Sequence, residues 1–96
     1  MKDKIVVKYV LGDSRWALHD KYASLRIPKE AKLLKIAVQG DYICAWYLAE
    51  DISTTDIITF LAVCTGEDVC MSEDTHQYLD TVLCNTGFVF HIFKLK

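Results

Sequence analysis

Alternating apolar and polar residues recur in short runs along the chain, and this period of two predicts β-strands. The run at residues 4–11 separates into two faces: Ile5, Val7, Tyr9 and Leu11 against Val6, Lys8 and Val10. Further strand-like runs cover residues 22–27, 42–49, 56–65, 78–84 and 88–95, with polar or glycine-containing connections between them. Turn signals roughly every 8–12 residues are typical of a sandwich or barrel. We therefore expect an all-β fold, a small antiparallel β-sandwich or partly open barrel of about seven strands.

Residues 28–38 fit both a helix and a strand. Pro28 suits the first position of a helix, and Glu30 suits its first turn. The strand interpretation divides the same segment into two faces: Leu34, Ile36 and Val38 against Leu33, Lys35, Ala37 and Gln39. Gly40-Asp41 then provides a tight turn into the next strand. We favour the resulting hairpin over the helix.

Several of the expected strands are apolar on both faces. Residues 56–65 have this pattern, which is typical of a central buried strand, and the runs at 42–49 and 88–95 share it. A sandwich of this size has a single interior layer, so the outer face of each sheet should be polar. Surplus apolar surface on so short a chain indicates an interface. We therefore predict a homo-oligomer, either a dimer or a higher assembly.

The composition agrees with a single β domain over residues 1–96. A chain that is 52% hydrophobic and contains one proline is too apolar for a disordered segment, and its length allows one core. No apolar run reaches the length of a transmembrane helix, and the first residues lack the features of a signal peptide. We expect no association with a membrane.

Positive and negative charges are unevenly distributed along the chain. Residues 1–35 hold nine Lys and Arg against four acids, whereas residues 36–96 hold two Lys against nine acids. A basic first third can attract an anionic ligand, although it is too sparse for the continuous basic stripe that binds long nucleic acid. Solvated strand faces that happen to segregate the two signs would give the same distribution.

No residue spacing indicates metal or catalytic chemistry. The four cysteines form no C-x-x-C pair, so we expect reduced thiols in a cytoplasmic setting and no zinc site. His19, His76 and His91 stand apart from one another, and the sequence has no phosphate-binding loop, nucleophile elbow or dinucleotide fingerprint. We expect a protein without metal, cofactor or catalytic residues, and not an enzyme.

The candidate ligand contacts are cationic, aromatic and turn residues: Lys8, Arg15, Trp16, Arg26, Thr65, Gly66 and His91. Arginine beside a loop tryptophan can pair with a phosphate while the indole stacks on a base; alternatively, Trp16 folds over the end of the sandwich. Thr65-Gly66 offers a hydroxyl and a close backbone approach, or simply ends a strand. His91 either contacts a ligand or is hydrogen-bonded within its sheet.

Five segments follow one another along the chain, and each is weak alone, but their order is moderately specific for one family pattern. They are VKYVL (7–11), IPKEAKLLKIAVQ (27–39), CAWYLAE (44–50), CTGE (64–67) and FVFHIF (88–93). This pattern resembles a family of short phage-encoded proteins of an uncharacterised domain type. The family combines a Lys-Tyr strand, a Pro-x-x-Ala-x-Leu-Leu segment, a Trp strand, a Thr-Gly turn and a Val-Phe-His-x-Phe ending. The resemblance supports a strand over residues 31–39.

The resemblance implies an origin rather than a reaction. Small oligomeric phage proteins often act against host defence, and one class sequesters nucleotide second messengers. We therefore expect a counter-defence protein of the host cytoplasm that binds a small nucleotide immune signal, of the cyclic dinucleotide or cyclic ADP-ribose type, at a homo-oligomer interface. One alternative is a module that inhibits a host or phage protein through an exposed sheet face or edge. Another is a small enzyme that degrades such a signal.

Overall fold

The computed structural model describes residues 3–16 and 21–96. Its strands are β1 (Ile5–Asp13), β2 (Tyr22–Pro28), β3 (Lys32–Gln39), β4 (Tyr42–Ala49), β5 (Thr55–Cys64), β6 (His76–Leu83) and β7 (Val89–Leu95). The predicted all-β fold is therefore confirmed. Within the described ranges, no helix has the length and hydropathy needed to cross a membrane.

The seven strands form two antiparallel sheets. One sheet has three strands in the order β1-β4-β3, and the other has four in the order β2-β5-β7-β6. β5 lies between β2 and β7, which confirms residues 56–65 as a central strand. The sheets remain separate, so the fold is a β-sandwich and not a closed barrel.

One hydrophobic core fills the space between the two sheets. The three-stranded sheet contributes Ile36, Ile43, Ala45 and Tyr47, and the four-stranded sheet contributes Phe60, Ala62, Phe90 and Ile92. Two hydrogen bonds join the sheets where the edge strands β3 and β6 approach each other. The Ile36 amide donates to Asp80 Oδ2 at 3.3 Å, and Asn85 Nδ2 donates to the carbonyl oxygen of Gly40 at 3.1 Å.

The ambiguous segment forms a strand and not a helix. Residues 32–39 are β3, and Gly40, at a φ of 62°, turns the chain into β4 as the hairpin interpretation predicts. Glu30 does not start a helix; it lies in the connection before β3 with a φ of 60°. That left-handed conformation is uncommon for a residue with a side chain.

The predicted faces of β3 need one correction. The register with β4 shifts between Leu33 and Lys35, so Leu34 occupies a bulge. Leu33 therefore packs against the core together with Ile36, whereas Leu34 is 47% exposed. Strict alternation placed Leu34 on the face of Ile36. The predicted position of Leu34 is wrong because a bulge inserts one extra residue, and the alternation of faces is reversed beyond the bulge.

Trp16 closes one end of the core. Its side chain is 8% exposed and belongs to the core cluster. It packs over Gly12, where an added Cβ would lie 2.5 Å from the Cβ of Trp16. Residues 17–20, which include His19, lie outside the described residues.

Candidate ligand-binding face

The outer surface of the three-stranded sheet combines exposed lysines with a tryptophan. On β4, Ile43, Ala45 and Tyr47 point into the core, so alternation places the intervening residues on the outer surface. The register of β1 and β3 on β4 identifies the outward residues of these neighbours. We call this surface the lysine–tryptophan face; its outward residues include Val6, Lys8, Val10, Lys32, Lys35, Tyr42, Trp46 and Leu48.

Trp46 lies between two lysines at the centre of this face. Lys8 on β1 and Lys35 on β3 are both register partners of Trp46. Directly opposed residues on antiparallel strands have Cβ atoms about 4.5–5.5 Å apart, so both lysine side chains start beside the indole. Trp46 is half-buried and both lysines are exposed. The face thus presents an aromatic ring with a cationic group on either side.

Lys8 is held in position by a hydrogen bond across the sheet. Its Nζ donates to Gln39 Oε1 at 3.0 Å. Lys8 is level with Trp46, and Gln39 is level with Tyr42, so the bridge passes over β4 at Cys44. Cys44 is consequently only 1% exposed although it occupies an outward position. The bridge orders one of the two cations beside the indole.

The charge on this face is predominantly positive. On the outward positions of its three strands, all of them described, the acidic residue is Asp13 at the end of β1. At the opposite end of the sheet, Lys4 Nζ lies 3.9 Å from Glu50 Oε1, which offsets both charges. A cavity of about 580 Å³ opens at that end, and its lining combines three lysines, Lys32 among them, with four carboxylates. The positive charge that an approaching anion meets therefore lies in the middle of the face, at the lysines beside Trp46.

Three predicted site residues lie together on the outer surface of the other sheet. Thr65 Oγ1 is 2.8 Å from His91 Nε2, and Gly66 follows in a turn with a φ of 87°. Thr81 Oγ1 lies 3.0 Å from His91 Nδ1 and 2.6 Å from the Tyr78 hydroxyl. Both ring nitrogens of His91 are thus hydrogen-bonded within the sheet, which agrees with the second of the two alternatives stated for this histidine.

This hydroxyl–histidine cluster lacks the surroundings of a catalytic site. A hydroxyl 2.8 Å from an imidazole nitrogen has the spacing of a nucleophile and its base. However, the second ring nitrogen contacts a threonine and not a carboxylate. None of the three described cavities is lined by Thr65 or His91. The geometry favours a polar network on an open surface.

The remaining predicted residues are spread over the molecule. Arg26 is exposed on β2 and opposes Ile57, whereas His91 opposes Val63, six residues further along β5. At about 3.3 Å per residue these levels are roughly 20 Å apart. Arg15 is exposed just after β1. The predicted set does not form one site, and Lys8 is the member that belongs to the lysine–tryptophan face.

Trp16 does not offer a stacking surface. Because its ring is buried in the core, the structure agrees with the alternative in which it folds over the end of the sandwich. Among the described residues its Nε1 has no hydrogen-bond partner. Trp46 and Lys35 are the aromatic and cationic residues that sequence reasoning missed. The expected hairpin around Gly40-Asp41 contained a signal for them, since a two-residue turn there pairs Lys35 with Trp46.

No metal centre emerges from the part of the chain that the structure describes. Residues 3–16 and 21–96 contain no group of three His, Cys, Asp or Glu side chains that could hold an ion. The cysteines are free thiols: Cys44 and Cys84 are buried, Cys64 is half-buried and Cys70 is exposed.

The sequence profile of the Domain of unknown function (DUF7352) matches residues 3–96. The chain belongs to this family. Comparison with curated proteins and with solved structures returns no match. The family description names neither a ligand nor an activity, so the resemblance to short phage-encoded proteins, and the counter-defence role expected from it, stay predictions.

Proposed function

We propose that this DUF7352 protein binds a small nucleotide-type anion on its lysine–tryptophan face without transforming it. The observation that carries the proposal is the placement of Trp46 between Lys8 and Lys35 in the register of three strands. A purine or similar ring would stack on the indole, and the lysine ammonium groups would neutralise its phosphates. Stacking of one base on an aromatic side chain contributes about 1–3 kcal/mol.

A second copy of the chain completes this site in our proposal. Val6, Val10 and Tyr42 surround the lysines on the same face and are 56%, 45% and 53% exposed. An open sheet face covers only one side of a small ligand, whereas ligand sites bury most of the ligand surface. Two such faces brought together would place their lysines against each other. An anion between them removes that repulsion, so binding and pairing reinforce one another.

The chemical class of the ligand follows from the resemblance noted in the sequence. Phage proteins of this kind often act against host defence, so we propose cyclic dinucleotides and cyclic ADP-ribose isomers as ligands, and the host cytoplasm as the site of action. Each combines one or two planar bases with two phosphate groups. Both groups match the chemistry of the lysine–tryptophan face.

Isothermal titration with cyclic di-GMP, cyclic GMP–AMP and cyclic ADP-ribose tests the proposal. We expect heat from at least one of them, and a loss of about tenfold or more in affinity for Trp46→Ala and for Lys35→Gln. Arg26→Gln is the matched control, because it removes one exposed cation from a strand of the other sheet. Silence across the panel contradicts the proposal, and so does a larger loss for Arg26→Gln than for Lys35→Gln.

The outer surface of the four-stranded sheet favours a second candidate function, inhibition of a protein partner. Leu83 and Ile57 are 67% and 61% exposed, and Tyr78, on the edge strand β6 with Leu83, is 54% exposed. Scattered exposed side chains are normal, but several on one sheet face can bind a partner. A stoichiometric protein partner that Leu83→Asp abolishes and Trp46→Ala retains would favour this function over nucleotide binding.

The third candidate, degradation of the nucleotide, is separated by recovering the ligand. After incubation with the protein and heat denaturation, an intact ligand indicates sequestration and an altered ligand indicates catalysis. The Thr65–His91 hydrogen bond is the geometry on which catalysis would depend. If the ligand is altered, Thr65→Val should abolish the change and Trp46→Ala should mainly weaken binding.

A further inference from the structure

The interior positions at one end of the sandwich carry polar side chains. On β7, Phe90 and Ile92 are core residues, so alternation points Lys94 toward the interior as well. Its register partners are Phe60 and Gln77. Lys94 is half-buried, and no described carboxylate lies within 4.0 Å of its Nζ. A lysine on an inward position of a sheet costs solvation unless an anion accompanies it.

These polar residues line a cavity of about 360 Å³ between the two sheets. Leu33, Ile58 and Leu79 provide apolar walls, and all three pack against the core. A volume of this size lies within the usual range of small-molecule sites, about 300–1,000 Å³. Its apolar walls occupy inward positions of the strands, whereas the lysine–tryptophan face is built from outward positions; Lys29, Glu30 and Asp56 also line the 580 Å³ cavity at the end of that face.

Tyr47 adds a neutral hydrogen-bonding group to the cavity lining. Burial, with a smaller contribution from neighbouring Tyr9, raises the pKa of Tyr47 to about 12. The phenol therefore stays protonated at physiological pH. A protonated phenol can donate a hydrogen bond to an anionic oxygen.

Two acidic side chains also line the mouth of the cavity. Asp56 shares the inward face of β5 with Ile58 and Phe60, and its Oδ1 lies 3.8 Å from Lys29 Nζ, so the described cation that accompanies it is Lys29 and not Lys94. Glu30 is exposed in the connection between β2 and β3. Lys94 is the cation of the lining that occupies an inward strand position.

We propose that this cavity binds a small carboxylate with a short apolar tail. The carboxylate pairs with the ammonium group of Lys94 and accepts hydrogen bonds from Gln77 and Tyr47. The tail lies against Leu33 and Leu79. This site is separate from the nucleotide site proposed above and does not depend on it.

Titration of the isotopically labelled protein with octanoate, followed by nuclear magnetic resonance, tests this proposal. We expect saturable shifts at the amides of Gln77, Leu79 and Lys94, and an affinity lower by about tenfold or more in Lys94→Met. Octan-1-ol, which has the same tail and no charge, should bind both proteins with similar affinity. Lys96→Met is the matched control and should leave octanoate binding unchanged, because Lys96 is an exposed residue beyond β7.

A second variant keeps the test decisive if Lys94→Met fails to fold. Lys94→Gln retains a polar side chain without the charge and should lose octanoate affinity in the same direction. Equal octanoate binding by the wild-type and a folded Lys94 variant would overturn the proposal. So would the absence of shifts at millimolar octanoate, or shifts confined to the lysine–tryptophan face. Each of these outcomes leaves the nucleotide titration interpretable on its own.

Discussion

Gly12→Ala tests how closely the chain packs where Trp16 closes the core. An alanine Cβ at position 12 would lie 2.5 Å from Cβ, 2.6 Å from Cγ and 3.0 Å from Cδ2 of Trp16. Cβ atoms essentially never approach other atoms this closely, so the indole or the strand must move. Because Gly12 lies in β1 and is not among the glycines with positive φ, the cost is steric and not conformational.

The expected loss of stability follows from two limits. Overpacking of a well-packed core costs about 1–3 kcal/mol when the surroundings adjust. If the buried indole is expelled, the loss approaches the roughly 3–5 kcal/mol of removing a core tryptophan. For a domain of this size, each kcal/mol lowers the thermal midpoint by about 4–8 °C. We therefore expect Gly12→Ala to lower the free energy of unfolding by at least about 1 kcal/mol.

Chemical denaturation of a double-mutant cycle with Trp16→Gly isolates the contact. Trp16→Gly removes every Trp16 atom near position 12, so Gly12→Ala should cost much less in that background. Gly40→Ala is the control: its site is open and its φ is 62°, so it costs about 1 kcal/mol in both backgrounds. An equal cost of Gly12→Ala with and without the indole would refute the close-packing argument.

Three further predictions concern titration and reactivity. The hydrogen bond from Lys21, followed by that from the Cys64 amide, lowers the pKa of Glu67. The Glu67 carboxylate therefore stabilises the fold above its unfolded pKa, and this contribution is lost as the pH falls through the folded pKa. The free energy of unfolding, measured against pH, should fall less on acidification in Lys21→Met than in the wild-type protein. Burial is the main reason that the pKa of Tyr47 is raised to about 12. The neutral phenol therefore stabilises the fold up to about pH 10, and that contribution is lost as the pH rises toward the folded pKa. Ultraviolet titration should show one phenol that ionises at a higher pH than the others, and Tyr47→Phe should remove it. Exposed Cys70 should react first with a thiol reagent. Cys84 should react only on unfolding, because it is buried and because burial and Cys64 raise its pKa. Labelling of Cys84 before Cys70 would contradict the structure.

The strands could be predicted from the sequence because half-buried strands carry their pattern locally. Runs of β-branched and aromatic residues bounded by turn signals predict β1, β4 and β7, and the turn at Gly40-Asp41 predicts the hairpin. The bulge at Leu34 could not be found this way, because it depends on how β3 is paired with β4 and not on the composition of β3.

The candidate site was only partly predictable for a similar reason. Lys8 was identified by its charge, but its alignment with Trp46 requires the pairing of β1 with β4, which are distant in the chain. The sequence predicts Trp16 as a ligand contact because it lies in a loop beside Arg15. Its close approach to Gly12 is a tertiary contact that no local pattern reveals. Function at a sheet face depends on which strands are neighbours, and that information is non-local.

We propose that an anion held against Trp46 joins two copies of this chain. Sedimentation velocity at micromolar protein, with and without the cyclic nucleotide that gives the strongest heat in the titration, measures this directly. We expect the ligand to shift the protein toward a two-chain species and Trp46→Ala to prevent the shift. A single-chain mass that stays unchanged when the wild-type protein is saturated with ligand would contradict it.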